Sequence, residues 1–153
     1  MDAPSKQTAI KVLFVCTHNS GRSQMAEAFL NVVGQGRFFA ESAGLQPREI
    51  NPLVAEAMRE QGIDLSTKRA KKIFDFFKEG KLYDYVVYVC DKETEAQCPV
   101  FPGVRKTLHW PFPDPAALEG SPAEKLAKVR EIRNQVKRRV EQFVNNFPSQ
   151  LSR

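Results

Sequence analysis

The sequence predicts an α/β fold, a four-stranded parallel sheet flanked by helices in three layers. Two observations carry this. Short, nearly continuous apolar runs at 10–16 and 83–90 suit strands buried on both faces. Between such runs lie stretches whose apolar residues recur every three or four positions, the mark of amphipathic helices. Strands alternating with helices imply a parallel sheet with right-handed crossovers. The chain has 153 residues, 42% hydrophobic and 27% charged, which fits one domain over 1–153 and excludes disordered and fibrous classes. A domain of this size buries about 70% of its unfolded surface and needs no disulfide or metal to hold it together.

Each element follows from local pattern. Residues 1–9 read as a loose polar leader. The run 10–16 is the first strand and ends on Cys16. A small, polar loop follows, and from Arg22 the residues Met25, Ala26, Phe29, Leu30 and Val33 keep helical spacing up to Gly34, a C-cap position. Residues 37–43 read as the second strand. Asn51-Pro52 gives an N-cap with proline in the first turn, and Gly62 ends that helix. Residues 68–78 read as a helix with Ile73, Phe74 and Phe77 inward. The third strand is 83–90, and 104–110 is a weaker fourth. Prolines clustered between 99 and 122 suggest a long structured loop. Ser121-Pro122-Ala123-Glu124 is a capping box. The helix after it buries Leu126, Val129, Ile132, Val136, Val140, Phe143 and Phe147, while Lys125, Lys128, Arg130, Arg133, Lys137, Arg138 and Arg139 form a solvated face.

The net charge of +5 is modest and fits that solvated face better than a nucleic-acid partner. No apolar run approaches the ~20 residues of a membrane span, and the polar start lacks a signal-peptide pattern. A cytoplasmic monomer is expected. Three cysteines, an odd number, do not make a disulfide framework in that compartment. They are either buried apolar residues or thiols kept for chemistry.

Ligands in such sheets bind at the carboxyl ends of the strands. Cys16, Cys90 and the region after Trp110 all fall there. The stretch Cys16-Thr17-His18-Asn19-Ser20-Gly21-Arg22-Ser23 places a cysteine at a strand end, five small or polar residues, an arginine, a serine and then a helix. A five-residue loop can curl its N–H groups inward into a nest for a tetrahedral anion. The helix adds its positive N-terminal end, and Arg22 offers paired donors to two anion oxygens. The same surroundings favour thiolate, since cysteines at helix N-termini ionise at about 3.5–7.5 instead of ~8.5. Thr17, His18, Asn19, Ser20, Gly21, Arg22 and Ser23 are therefore the candidate oxyanion-binding residues, with Ser23 a candidate donor to the Cys16 sulfur. Asn19 and Gly21 tolerate unusual backbone angles, and His18 decorates the rim.

This loop resembles that of the low-molecular-weight protein tyrosine phosphatase superfamily. The longer string from Cys16 to Ala28 is similar to the arsenate reductase branch of that fold. Ser42-Ala43-Gly44, Asn51-Pro52, Ile63-Asp64-Leu65-Ser66, Val89-Cys90-Asp91, Cys98-Pro99, His109-Trp110 and Asp114-Pro115 extend the likeness over about residues 10–147. The resemblance implies a low-molecular-weight phosphatase-like fold with Cys16 as nucleophile and Asp114 as general acid, where the residues alone leave Asp114 as either an acid or a turn cap. Ala116 and Ala117 stand where the phosphatase branch carries aromatic residues, which favours a small inorganic anion over phosphotyrosine.

The resemblance also implies a relay. Cys90 attacks Cys16 to expel arsenite, and Cys98 takes over the disulfide and presents it to an external thiol reductant. Thioredoxin is expected, with glutathione and glutaredoxin as the alternative, and no bound cofactor. If 91–97 is helical, the Cα atoms of Cys90 and Cys98 lie about 12 Å apart, whereas a disulfide needs roughly 7 Å. The segment is then expected to unwind on oxidation. Some members carry another cysteine where this chain has Gly21, and some bind potassium at residues matching Asn19, Glu27 and Ser42. Lys71 falls near an acidic position of that site, so no required metal is expected. The competing functions are a phosphomonoesterase in which Cys90 and Cys98 only protect Cys16, and a non-enzymatic anion sensor.

Overall fold

The computed structural model describes residues 9–147. Apart from residue 9, the expected leader lies outside the described residues. Strands β1 (Ile10–Cys16), β2 (Phe38–Gly44), β3 (Tyr85–Tyr88) and β4 (Lys106–His109) form one parallel sheet in the order β2-β1-β3-β4. The helices are α1 (Arg22–Val33), α2 (Pro52–Arg59), α3 (Ile73–Lys78), α4 (Lys92–Ala96) and α5 (Pro122–Asn146), with a 3₁₀ turn at Pro115–Ala117. No helix among the described residues is long and apolar enough to cross a membrane.

β1 runs between β2 and β3, and its Val12, Leu13, Phe14 and Val15 are wholly buried. That is why its apolar run does not alternate. The two faces are distinguished by their partners. Phe14 meets Trp110, and Phe38 meets Phe143 and Phe147 at the end of α5, which also packs on α1. On the opposite face Glu41 accepts from Tyr83 Oη at 2.7 Å, Tyr83 touches Phe101, and Phe101 touches Phe77 of α3. Helices therefore cover both faces, as expected for three layers. The capping box holds as read: Ser121 Oγ accepts from Glu124 N, and Glu124 Oε1 accepts from Ser121 N.

The boundaries depart from the sequence reading where tertiary contacts take over the backbone. Residues 68–72 are not helical. Lys71 O accepts from Gly44 N at 2.8 Å and Lys72 bridges Gly44, so this stretch extends the edge of β2, and α3 starts only at Ile73. In α3 Ile73 and Phe76 face inward, and Phe77 is 41% exposed. β3 stops at Tyr88 rather than residue 90, with Val89 N still donating to Val15 O at 2.9 Å. Arg133, expected on the solvated face of α5, is buried: it donates to Ala57 O at 2.9 Å and to Glu60 Oε1 at 2.8 Å.

Glu60 thereby ties α2 to α5, with Arg130 donating to it as well. These hydrogen bonds hold its carboxyl down at about 2, against an ordinary value of 4.5. Because the folded-state value is lowered, the stabilisation is complete above about 4.5 and is lost as pH falls through about 2. Urea unfolding of wild type and Glu60→Gln should show the wild type more stable at pH 7, with the two converging near pH 2. A constant gap between them across that range would contradict this linkage.

Candidate active site

The loop between β1 and α1 is shaped by where its carbonyls go. Cys16 O, Thr17 O, His18 O and Ser20 O accept from the amides of Leu45, Gln46, Arg48 and Asn51, at 2.8 to 3.3 Å. In a trans peptide the N–H points opposite to the C=O. The amides of residues 17, 18, 19 and 21 therefore turn to the other side of the loop, toward the Cys16 sulfur. Asn19 N verifies the direction by donating to Cys16 Sγ at 3.1 Å. Gly44 permits the close approach behind the loop: a Cβ there would sit 2.7 Å from Asn19 N and 2.9 Å from His18 C. Gly21, read as a point of backbone freedom, has a negative φ; a Cβ there would press on Pro115 Cγ at 3.3 Å and Val54 Cγ2 at 3.4 Å.

Asn19 is fully buried with φ 53°, the left-handed conformation the sequence allowed for. Its Oδ1 accepts from Lys71 N at 2.8 Å and Gln24 Nε2 at 3.0 Å. That fixes the orientation of the amide, so Nδ2 donates to Ser23 Oγ at 2.7 Å and Ser42 Oγ at 2.9 Å. Ser42 donates onward to Glu27 Oε1. Ser23 Oγ, which accepts from Asn19 Nδ2, is also hydrogen-bonded to Cys16 Sγ, 2.8 Å away. The sulfur thus has two hydrogen-bond partners, Asn19 N and Ser23 Oγ.

A small cavity opens above this sulfur, lined by Cys16, His18, Ser20, Gly21, Arg22, Asn51, Asp114, Pro115 and Ala116. The side chains of Thr17, Asn19 and Ser23, grouped with the anion loop in the sequence, do not line it. They brace it from behind, Thr17 through Thr94 at 2.9 Å. Arg22 Nη1 donates to Phe112 O at 3.3 Å, and Nη2 lies 3.8 Å from Asp114 Oδ2. The other Asp114 oxygen accepts from Ala116 N at 2.9 Å, so the carboxylate both caps the 3₁₀ turn and faces the cavity. Burial, then the field of Arg48, lowers the pKa of His18 at the rim, with Asp114 opposing and Arg22 reinforcing.

All three cysteines are free thiols. Val15 pairs with Tyr88, so Cys90 lies just beyond the end of β3, one strand over from Cys16. Had β3 continued regularly, residues 16 and 90 would face opposite sides of the sheet. The strand instead ends at Tyr88 and the chain bends at Cys90. Burial pushes the Cys90 thiol up to about 12, the Cys16 sulfur adds to the rise, and Arg22 opposes it. α4 follows at Lys92–Ala96, shorter than the 91–97 helix the spacing argument supposed, with Asp91 as its N-cap and Gln97 as its C-cap. Cys98 lies past its end and donates to Thr94 O at 3.3 Å. Its thiol is pushed up to about 11 by burial first, then by Glu95 and Cys16.

The residues matching a cation site behave differently from expectation. Lys68, rather than Lys71, pairs with Glu27, its Nζ 3.0 Å from Oε2. Lys71 donates through Nζ to Arg69 O; burial lowers its pKa, Glu27 opposes, and Lys68 lowers it further. An ammonium thus already satisfies the buried carboxylate of Glu27. Among the described residues no group of three or more His, Cys, Asp or Glu side chains stands together as a metal cage.

Sequence reading missed Gln24, Lys68, Thr94 and the cavity-lining role of Asn51. Asn51 was legible as a helix cap, and its side chain does accept from Leu53 N. Gln24 and Thr94 carried no signal, because the bonds by which they brace the loop, to Arg69 O and Thr17 Oγ1, join segments far apart in the chain. The close approach at Gly44 yields a test. Gly44→Ala should cost about 1–3 kcal/mol in urea unfolding and weaken inorganic phosphate binding in calorimetry by about tenfold or more, since the atoms displaced are loop backbone. Unchanged phosphate affinity would mean that the loop geometry does not depend on this contact.

Comparison with known proteins gives a consistent picture. A family model described as low molecular weight phosphotyrosine protein phosphatase matches residues 11–153. An arsenate reductase of Halalkalibacterium halodurans is 35% identical over 132 residues, covering 86% of this chain and 93% of that protein. A solved arsenate reductase in the oxidized state matches with a TM-score of 0.74 and 32% identity, covering 90% of this chain and 98% of that one. The thioredoxin-dependent arsenate reductase of Corynebacterium glutamicum matches at 0.60 and 29% identity, over 88% of this chain and 63% of that one. The chain belongs to the low molecular weight phosphotyrosine protein phosphatase family.

Proposed function

We propose that this protein reduces arsenate to arsenite through a relay of its own three thiols. The observation that carries the reading is that Cys16, in the lining of the anion cavity, has two further thiols, Cys90 and Cys98, near enough to feel its charge, since hydrolysis of an ester needs only the first of them. The names of the relatives support the substrate.

Arsenate sits on the loop amides and the guanidinium of Arg22. The Cys16 sulfur bonds to arsenic, and one arsenate oxygen leaves as water with a proton from Asp114. The Cys90 sulfur then attacks Cys16. The S–S bond forms, the S–As bond breaks, and its electron pair stays on arsenic, which departs as arsenite. Cys98 attacks Cys90, Cys16 leaves as thiolate, and the Cys90–Cys98 disulfide remains for an external dithiol. Thioredoxin is the reductant we assign, in line with the thioredoxin-dependent relative, and no bound cofactor enters.

Electrostatics order the steps. The Cys16 sulfur helps keep the Cys90 thiol protonated, while Arg22 pulls the other way. Once Cys16 is bonded to arsenic its own charge is spent, and the lowering influence of Arg22 remains. Cys90 therefore becomes a better nucleophile after the first step than before it.

NADPH consumption coupled through thioredoxin and its reductase is expected to depend on arsenate in the wild type. It should vanish in Cys16→Ser and fall to background in Cys98→Ser. Hydrolysis of an aryl phosphate with no arsenate-dependent turnover would establish a phosphomonoesterase instead. Function retained in Cys16→Ser would point to a sensor. The relay thiols make a separate prediction. Alkylation of Cys98 in the reduced protein should climb about tenfold per pH unit from pH 7 to 9, as a thiol titrating at about 11 requires. A plateau below pH 9 would contradict the assignment.

A further inference from the structure

α4 has five residues, Lys92–Ala96, too few to be stable by intrinsic propensity. What keeps it wound must come from tethers at its ends and sides, and Thr94 collects three of them. Its hydroxyl meets Thr17 Oγ1 in the anion loop at 2.9 Å. Its backbone N–H donates to the capping carboxylate of Asp91 at 2.9 Å. Its carbonyl accepts from the Cys98 thiol at 3.3 Å. Thr94 is 6% exposed, so its hydroxyl has little water to turn to. The further tether, Glu95 Oε1 to His109 Nε2 at 2.7 Å, holds the neighbouring position to the end of β4.

The geometry points to Thr94 as a positioning residue that parks Cys98 away from Cys90 and couples the release of α4 to the anion loop through Thr17. The inference rests on the arsenate reductase reading. In the exchange step the Cys98 sulfur bonds to the Cys90 sulfur, the Cys16–Cys90 bond breaks, and Cys16 departs as thiolate with the electron pair. No oxidant is consumed. With Lys92–Ala96 wound, the Cys98 thiol is held on Thr94 O at the end of the helix, whereas a disulfide to Cys90 needs the two Cα atoms within roughly 7 Å. The helix must open, Thr94 O must release the Cys98 thiol, and the hydroxyl pair must part. Thr17 directly follows Cys16, so covalent change at Cys16 reaches Thr94 through one peptide unit. A loop at rest thus holds the relay closed, and a loop whose cysteine is engaged loosens it.

Three variants of the full chain test this: Thr94→Val, which keeps the shape and deletes the hydroxyl; Thr94→Ser, which keeps the hydroxyl; and Thr17→Val, which cuts the same bond from the loop. In hydrogen exchange of the reduced protein, both valine variants should exchange the 92–98 amides roughly three- to tenfold faster than wild type, the worth of one neutral hydrogen bond. Thr94→Ser should stay near wild type. In a single arsenate turnover followed by disulfide mass-mapping, Thr94→Val should convert Cys16–Cys90 into Cys90–Cys98 faster by a similar factor. Wild-type exchange and conversion in Thr94→Val would overturn the proposal, as would Thr94→Ser behaving like Thr94→Val. Should Thr94→Val fail to fold, the exchange result for Thr17→Val decides. A wild type that forms no disulfide with arsenate would sink the arsenate reductase reading, while the exchange measurement still judges the Thr17–Thr94 tether by itself.

Discussion

The orientation of one buried amide, that of Asn19, holds the site together. Its oxygen is saturated by Lys71 N and Gln24 Nε2, so its nitrogen can only donate. The two serines that receive those donations carry the network on, Ser23 to the Cys16 sulfur and Ser42, as donor, to Glu27. The same residue contributes a backbone N–H to the sulfur from a left-handed conformation. A buried polar network is stable only when each member is satisfied. Here the chain of donors ends on Glu27, whose other oxygen takes the ammonium of Lys68. The charge of Glu27 behind the loop is thus matched by Lys68, and the hydrogen bonds that shape the loop are already made. Such preorganisation spares the protein the reorganisation that an anion would otherwise impose.

The thiols are arranged so that reactivity is graded by environment rather than by residue type. Cys16 has two hydrogen-bond partners at the mouth of a helix, whereas Cys90 and Cys98 sit in surroundings that disfavour charge, chiefly through burial. A relay in which all three sulfurs were equally ionised would oxidise indiscriminately. In the relay we propose, keeping the second and third thiols protonated until the preceding step is complete would give the electrons a direction. The hydrogen bond from the Cys98 thiol to Thr94 O would add a mechanical barrier to the electrostatic one in that proposed relay.

Much of this was legible in the sequence, and the limits have physical causes. The buried strand at Ile10–Cys16, the helix from Arg22, the Asn51 cap and the Ser121–Glu124 capping box are local patterns, and local patterns survive folding. The stretch 68–72 looked helical by composition but was drawn into extended pairing, because Gly44 and Asn19 needed its backbone. No local rule registers a demand made from fifty residues away. The end of β3 was misplaced for the opposite reason: residues 89–90 are apolar, yet a regular strand would have carried Cys90 to the wrong face. Arg133 belonged by spacing to a charged face, and only the position of Glu60 on another helix explains its burial. The anion loop itself was readable because its chemistry needs contiguous residues. Its braces were not, because they come from three separate segments.

The cavity walls bear on which oxyanion chemistry the loop serves. Phosphotyrosine brings a flat ring whose recognition calls for aromatic surfaces beside the loop. Pro115, Ala116, Asn51 and His18 wall this cavity, and among the described residues no Phe, Tyr or Trp side chain lines it. Phe112 contributes its carbonyl, which accepts from Arg22 Nη1. Pro115 also packs directly over Gly21, which keeps the loop and the Asp114 turn close together. A turn drawn in this tightly places a carboxylate near a small tetrahedral guest and leaves little room for a bulky ester. The constraint that shapes the position of Asp114 also narrows the space above the loop, and the compact inorganic anion we propose as substrate meets both conditions.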